Sequence, residues 1–259
     1  MKTLAIAILG TSSIVASADA GFMGFVAFAK QSGSYVVVDV FTAVSNSSDK
    51  FLNVYNANIT TTSAGGFYQA AGLANKTWKA DVANFNSTRS SIDSFMTAGT
   101  YSGGAYGGEY YASPNTNADP NFCFPSNGNN WCNATPASAP VTTVPANAGW
   151  YTGDPTSVDN NAELLNFLGY TRIDSGATPA SDNTLGSAGS AGAQYGIWCS
   201  HMVIAGTLAN VRIDYSASAS IKDGMTGGTD QRISTFVIPA PGAIALLGVG
   251  GIAMRRRRG

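Results

Sequence analysis

From residue 34 the chain reads SYVVVDVFTAV, a run that is β-branched, aromatic and too short for a convincing buried helix. Period two places Tyr35, Val37 and Phe41 on one face and Val36, Val38 and Val40 on the other, which predicts a central strand between two layers. The turn residues SNSSDK follow, and then FLNVYNANIT, residues 51–60, which is expected to pair with the first strand as a hairpin. Further strands are expected at 66–71, 91–97, 196–205, 207–217 and 232–238. Seven short strands with almost no helical periodicity predict an all-β fold, a single β-sandwich of jelly-roll-like or immunoglobulin-like type with long loops. The one internal helix expected is NNAELLNFL, residues 160–168, with an Asn cap and one or two turns. Between 99 and 192 the sequence loosens into Gly-, Ser- and Asn-rich loops, which belong to the same domain because later strands are needed to complete the sheets.

Both ends depart from this pattern. Met1 and Lys2 precede an uncharged apolar run over residues 4–15, and Ala16-Ser17-Ala18 and Ala18-Asp19-Ala20 offer two small-residue cleavage sites. That order of basic, apolar and small residues predicts a secretory signal helix over 1–20. At the far end residues 233–254 carry no charge, but Pro239 and Pro241 are expected to break a helix there. What remains, residues 242–254, would reach about 20 Å as a helix, a short transmembrane segment. Arg255, Arg256, Arg257 and Arg258 then stay on the cytoplasmic side while the signal peptide sends the rest outward. The expected organisation is a signal peptide over 1–20, an ectodomain over 21–237 and a C-terminal signal over 238–259.

A Pro-x-Pro motif, a short Gly/Ala/Leu-rich segment and a terminal arginine cluster together resemble the PEP-CTERM sorting signal of bacterial exported proteins. Here it is carried by Pro239, Ala240 and Pro241, by residues 242–254, and by Arg255 to Arg258. The resemblance implies processing by exosortase, a membrane-embedded cysteine protease, and an association with exopolysaccharide and biofilm matrix. It departs from the family at Ala240, where the family has a Glu. Fragments such as VVVDVFTAVSNSSDKFLNVYNANI and VPANAGWY are also similar to a functionally undescribed ectodomain that recurs on such proteins, a likeness that implies no chemistry.

Composition supports export. Only 11% of the residues are charged against 44% hydrophobic, so Ser, Thr, Asn and Gly must cover most of the surface. Without Asp19, Lys2 and the terminal arginines, residues 21–239 hold fourteen acidic against nine basic residues, about −5, and nucleic acid is not an expected partner. In an oxidising compartment Cys123 and Cys132, which bracket FPSNGNNW, are the preferred disulfide. Cys199 is then left over in GIWCSHMVI, where period two would align Ile197, Cys199 and His201 on one face and Trp198, Ser200 and Met202 on the other. Side chains two apart along a strand lie about 7 Å from each other, so a buried thiol beside a satisfied imidazole is preferred to a Cys/His nucleophile.

Asp39 lies inside the Val-rich strand and needs a partner, with Arg89 or Arg212 the expected ones. Glu109 and Glu163 are the only glutamates and sit in no recognisable acid/base motif. No cofactor is expected. The oxygens of Asp154, Asp159, Asn160 and Glu163 suit calcium, although turn and cap chemistry explains them as well. Tyr106, Tyr110, Tyr111 and Trp131 beside Asn-rich loops are candidates for stacking on sugar rings, or simply for packing those loops. These features point first to a non-enzymatic exported cell-surface or matrix protein, and second to a carbohydrate-binding module acting on exopolysaccharide. An extracellular hydrolase is the least favoured reading. The partners implied are the processing protease, the membrane and exopolysaccharide.

Overall fold

The computed structural model describes residues 22–44, 46, 48–70, 78–80, 88, 90–101, 111–119, 122, 140–153, 171–172, 195–224 and 226–238. Those residues are mostly β-strand, arranged in two antiparallel five-stranded sheets and one small hairpin. Sheet I is built from β1 (Phe22–Ser32), β2 (Tyr35–Val44), β4 (Phe95–Met96), β9 (Thr171–Arg172) and β10 (Tyr195–Ala205), in the order β4-β10-β2-β1-β9. Sheet II contains β3 (Lys50–Thr61), β7 (Thr116–Ala118), β8 (Ala148–Thr152), β11 (Ile213–Lys222) and β12 (Thr229–Ile238), in the order β12-β11-β3-β8-β7. The hairpin joins β5 (Thr100–Tyr101) to β6 (Tyr111–Ala112).

The two-sided apolar pattern of 34–44 does make β2 the middle strand of sheet I. Val36, Val38, Val40 and Val44 enter a core shared with Phe51, Val54, Ile59, Trp150, Ile213 and Tyr215 of sheet II. Phe41 and Ala43 enter a second cluster on the opposite face, with Val26, Phe28, Phe95 and Trp198. Sheet I is therefore dry on both sides. Sheet II covers one face, and segments around Ala80, Phe95 and Ala112 cover the other.

The partner of β2 is not the strand that the sequence pattern predicts. β2 pairs with β1 across the two-residue turn Gly33-Ser34, with Ser32 opposite Tyr35. Gly33 has φ +59, the positive value that the first position of a type II′ hairpin turn requires. Residues 51–60 belong to β3 in the other sheet, so the chain crosses between layers after Val44. The physical reason is the pattern of β3 itself, which buries Phe51, Val54, Ala57 and Ile59 but exposes Asn56 and Asn58. Such a strand needs one wet face, and sheet I has none to give. Asn56, at φ 50, sits in the irregular stretch between Val54 and Ala57 that restores the alternation. The crossing is held by the buried Asp49 carboxylate, which accepts from the backbone N–H of Asn46 at 3.2 Å and of Gly224 at 3.1 Å.

Other expectations hold with shifted bounds. β10 and β12 cover 196–205 and 232–238 closely, 91–97 contracts to β4, and 66–71 contributes only bridges from Phe67 to Val141 and Ile204. β11 starts at Ile213 rather than 207, because Gly206 to Arg212 form the connecting loop. The signal segment 1–20, the helix 160–168, the Cys123/Cys132 pair and the tail 239–259 lie outside the described residues. Residues 233–238, the start of the uncharged C-terminal run, are strand rather than helix.

Glycine substitution separates backbone strain from crowding. Gly33→Ala meets no atom within 4 Å and should cost only the left-handed penalty of about 1 kcal/mol. Gly66, at φ +61, would place a Cβ 2.6 Å from the Val141 carbonyl oxygen, so Gly66→Ala should cost at least twice as much in urea unfolding. Equal losses would contradict this packing of 66 against 141.

Candidate functional site

Register and a bulge decide what the reactive side chains can do. In the β10–β2 ladder Trp198 lies opposite Phe41 and Ser200 opposite Val40, so Cys199 is an inserted residue. The insertion changes the phase of the strand. Ile197 and Cys199 face the core between the sheets, and so do Met202 and Ile204 beyond the bulge. Trp198 joins the opposite cluster, and His201 meets it there edge-on, 5.7 Å between ring centroids at 90°. Cys199 and His201 therefore do not share a face. Strict period two fails here because a single extra residue carries no mark in the sequence.

The same ladder sets His201 opposite Asp39. His201 Nδ1 is 2.6 Å from Asp39 Oδ1, and both side chains are fully buried. Trp198 Nε1–H donates to the same carboxylate oxygen at 3.1 Å. The partner of Asp39 is thus an imidazole and an indole; Arg212 instead pairs with Asp214 on the surface at 2.8 Å, and Arg89 lies outside the described residues. Phe95 stacks on the imidazole, 4.8 Å between centroids and 22° between planes.

The second imidazole nitrogen fixes the chemistry. Nε2 lies 2.8 Å from the backbone carbonyl oxygen of Ser91, which can only accept, so Nε2 carries a proton. One further proton lies in the short Asp39–His201 contact, and the pair as a whole is neutral. A base in a nucleophilic triad needs a free lone pair at this nitrogen, facing a hydroxyl or thiol. His201 presents an N–H to a carbonyl. Its geometry fastens the covering segment to sheet I, and Ser94 Oγ does the same, accepting from Val203 N–H at 2.9 Å; Asp93 Oδ1 ties the segment to the 67–70 stretch, accepting from Ala70 N–H at 2.8 Å.

Cys199 is equally committed. Its thiol lies 3.3 Å from the Val40 carbonyl oxygen and 3.9 Å from the Tyr215 hydroxyl. Burial pushes it up to about 12, only partly offset by the hydroxyls of Thr42, Tyr215 and Ser200, and burial also raises Tyr215 well above the usual phenol value. A thiol that holds its proton so firmly is a poor nucleophile.

Of the remaining candidates, Tyr111 is described, half-buried in β6 opposite Tyr101. Tyr106, Tyr110, Trp131, Glu109, Glu163, Asp154, Asp159 and Asn160 lie outside the described residues. Among the described residues no three His, Cys, Asp or Glu side chains converge as metal ligands, and no helix is long and apolar enough to cross a membrane. Comparison with protein-family models, with curated proteins and with solved structures found no significant match to this chain.

Removing one member of the buried pair strands the other. Asp39→Ala and His201→Ala should each cost about 3–5 kcal/mol in chemical denaturation, whereas the double variant should cost far less than their sum. Additive losses would show that the two groups do not depend on each other. The thiol gives a second check. In a C123S/C132S background, Cys199 should react with a thiol reagent at pH 8 about a thousandfold more slowly in the folded than in the unfolded protein. The linked pH effect has a definite sign, since the unfolded thiol releases its proton near 9.0 and the folded one near 12. Its contribution to stability is complete below pH 9 and drains away as pH rises toward 12.

Proposed function

We propose that this chain is a non-enzymatic exported protein of the cell surface or extracellular matrix, carried on an all-β sandwich and delivered through its PEP-CTERM-like C-terminal signal. The observation that carries the reading is the burial of three reactive groups among the described residues: Asp39, His201 and Cys199 are all fully enclosed and bonded to neighbouring protein groups. Enclosed in this way, the three support a scaffold rather than a catalytic reading.

The exit of the tail supports the same reading. β12 ends at Ile238, immediately before Pro239, and Ile238 lies opposite Ile213 at the start of β11. That end of the sheets also carries the Gly33-Ser34 turn and the 206–212 loop, joined where Gly206 N–H donates to the Ser34 carbonyl at 2.9 Å. With residues 242–254 in a bilayer, this end would face the lipid and the opposite end the medium. Sorting would then use Pro239, Ala240, Pro241 and the four terminal arginines, with exosortase and the membrane as partners.

Replacing Arg255, Arg256, Arg257 and Arg258 together with Ser should shift the protein from the membrane fraction and change its processing, because the charges that hold the C-terminus on the cytoplasmic side are gone. Unchanged retention and an unchanged mature length by mass spectrometry would overturn the assignment of the tail.

A further inference from the structure

On β11, Ile213, Tyr215, Ala217, Ala219 and Ile221 point into the core, so Ser216, Ser218 and Ser220 line the opposite face of sheet II. Along one line perpendicular to the strands, five residues stand in register: Gln231 of β12, Ser220 of β11, Asn53 of β3, Tyr151 of β8 and Asn117 of β7. Neighbouring strands are about 4.8 Å apart, so the row is about 19 Å long. Tyr55 stands opposite Ser218 on the same face.

Three properties of this row point to a ligand. Tyr151 is 42% exposed, the one exposed large hydrophobic side chain among the described residues. It is flanked in register by two carboxamides, and no member of the row is charged. Beside it, Asn53 Oδ1 and Ser220 Oγ are shielded from water and have no hydrogen-bond partner, although they belong to residues directly opposite one another. A ligand hydroxyl that reached these orphans would give them the partner they lack.

An apolar ligand would leave these amides unpaired, and an ion would find no opposite charge in the row. A polyhydroxylated chain fits both demands, because its ring faces stack on an exposed tyrosine while its hydroxyls both donate and accept. We propose that the outer face of sheet II is a binding platform for a neutral polysaccharide, laid across the strands with Tyr151 as the stacking residue and Asn53, Asn117 and Gln231 as hydrogen-bonding residues. The row stands seven residues along β11 from Ile213, about 23 Å from the end where the tail leaves. Relevance to the cell rests on the proposed export, but binding itself does not depend on the tail.

The described charges next to the row on this face are Lys222 and Lys50, opposite one another at one edge, and Asp119, two residues beyond Asn117 with its carboxylate beside Gly149. The lysines supply a control for simple electrostatic capture. The full chain, purified in detergent, is run by affinity electrophoresis in gels containing soluble β-glucan, mannan, dextran or, as the anionic probe, alginate. At least one neutral polysaccharide should retard it, with Tyr151→Ala weakening the retardation at least tenfold and Asn53→Ala several-fold, while urea midpoints stay near that of the parent. No retardation by any neutral polysaccharide overturns the proposal, and so does retardation by alginate alone that salt abolishes. Loss with Tyr110→Ala but not with Tyr151→Ala also overturns it, moving the site to the tyrosine-rich loop. Because binding is read on purified protein, its failure is distinguishable from failure of the sorting assignment.

Discussion

The constraint on which the structure depends is that sheet I has no wet face. A strand as apolar on both sides as Val36–Val44 can be satisfied only by two covers, and every neighbouring element answers that need. Sheet II supplies one cover, and its own outer face carries the exposed Asn58, Asn117 and Tyr151. Ala80, Phe95 of the edge strand β4 and Ala112 of β6 pack on the other face of sheet I, and the residues 90–94 beside them bring polar backbone against an apolar sheet. That backbone needs partners, and His201 provides one at the Ser91 carbonyl, while the Ser94 hydroxyl bonds the Val203 backbone of β10.

Seen from that constraint, the Asp39–His201 pair is a solution to a packing problem. A carboxylate in the middle of a buried sheet is tolerable only with partners of its own, and the register delivers an imidazole and an indole to the same oxygen. The imidazole passes its second N–H to the covering segment, so one buried pair links β2, β10 and the Ser91 backbone. The bulge at Cys199 is part of the same device, because it turns His201 toward Asp39 while leaving Met202 and Ile204 in the core between the sheets.

The sequence showed the two-sided character of β2 and the strands β10 and β12, because each follows from local periodicity; the shared face expected for Cys199 and His201 is undone by the bulge. It did not show β1, whose FMGFVAFAKQS is diluted by Gly and Ala and follows directly on the stretch expected to be a signal segment. It also placed β3 beside β2, since a polar hexapeptide between two strands looks the same whether it turns back within a sheet or crosses to another. The partner of Asp39 was hidden for a different reason: it lies 162 residues away and depends on a bulge. The row on sheet II was illegible too, because its five members come from five strands and align only through register. A signal for it existed in the Ser alternation of YSASAS, which marks a strand with one small polar face, but nothing in the chain says which strands flank it.

His201 is the chain's only histidine, so a histidine-selective acylating reagent such as diethyl pyrocarbonate reports on one site without ambiguity. With its ring enclosed and both nitrogens engaged, His201 should stay unmodified in the native protein over a time in which the urea-unfolded chain is fully modified. Modification of the native protein at the rate of free imidazole would contradict it, since the buried pair, the covered face of sheet I and the case against a catalytic histidine would all fall together.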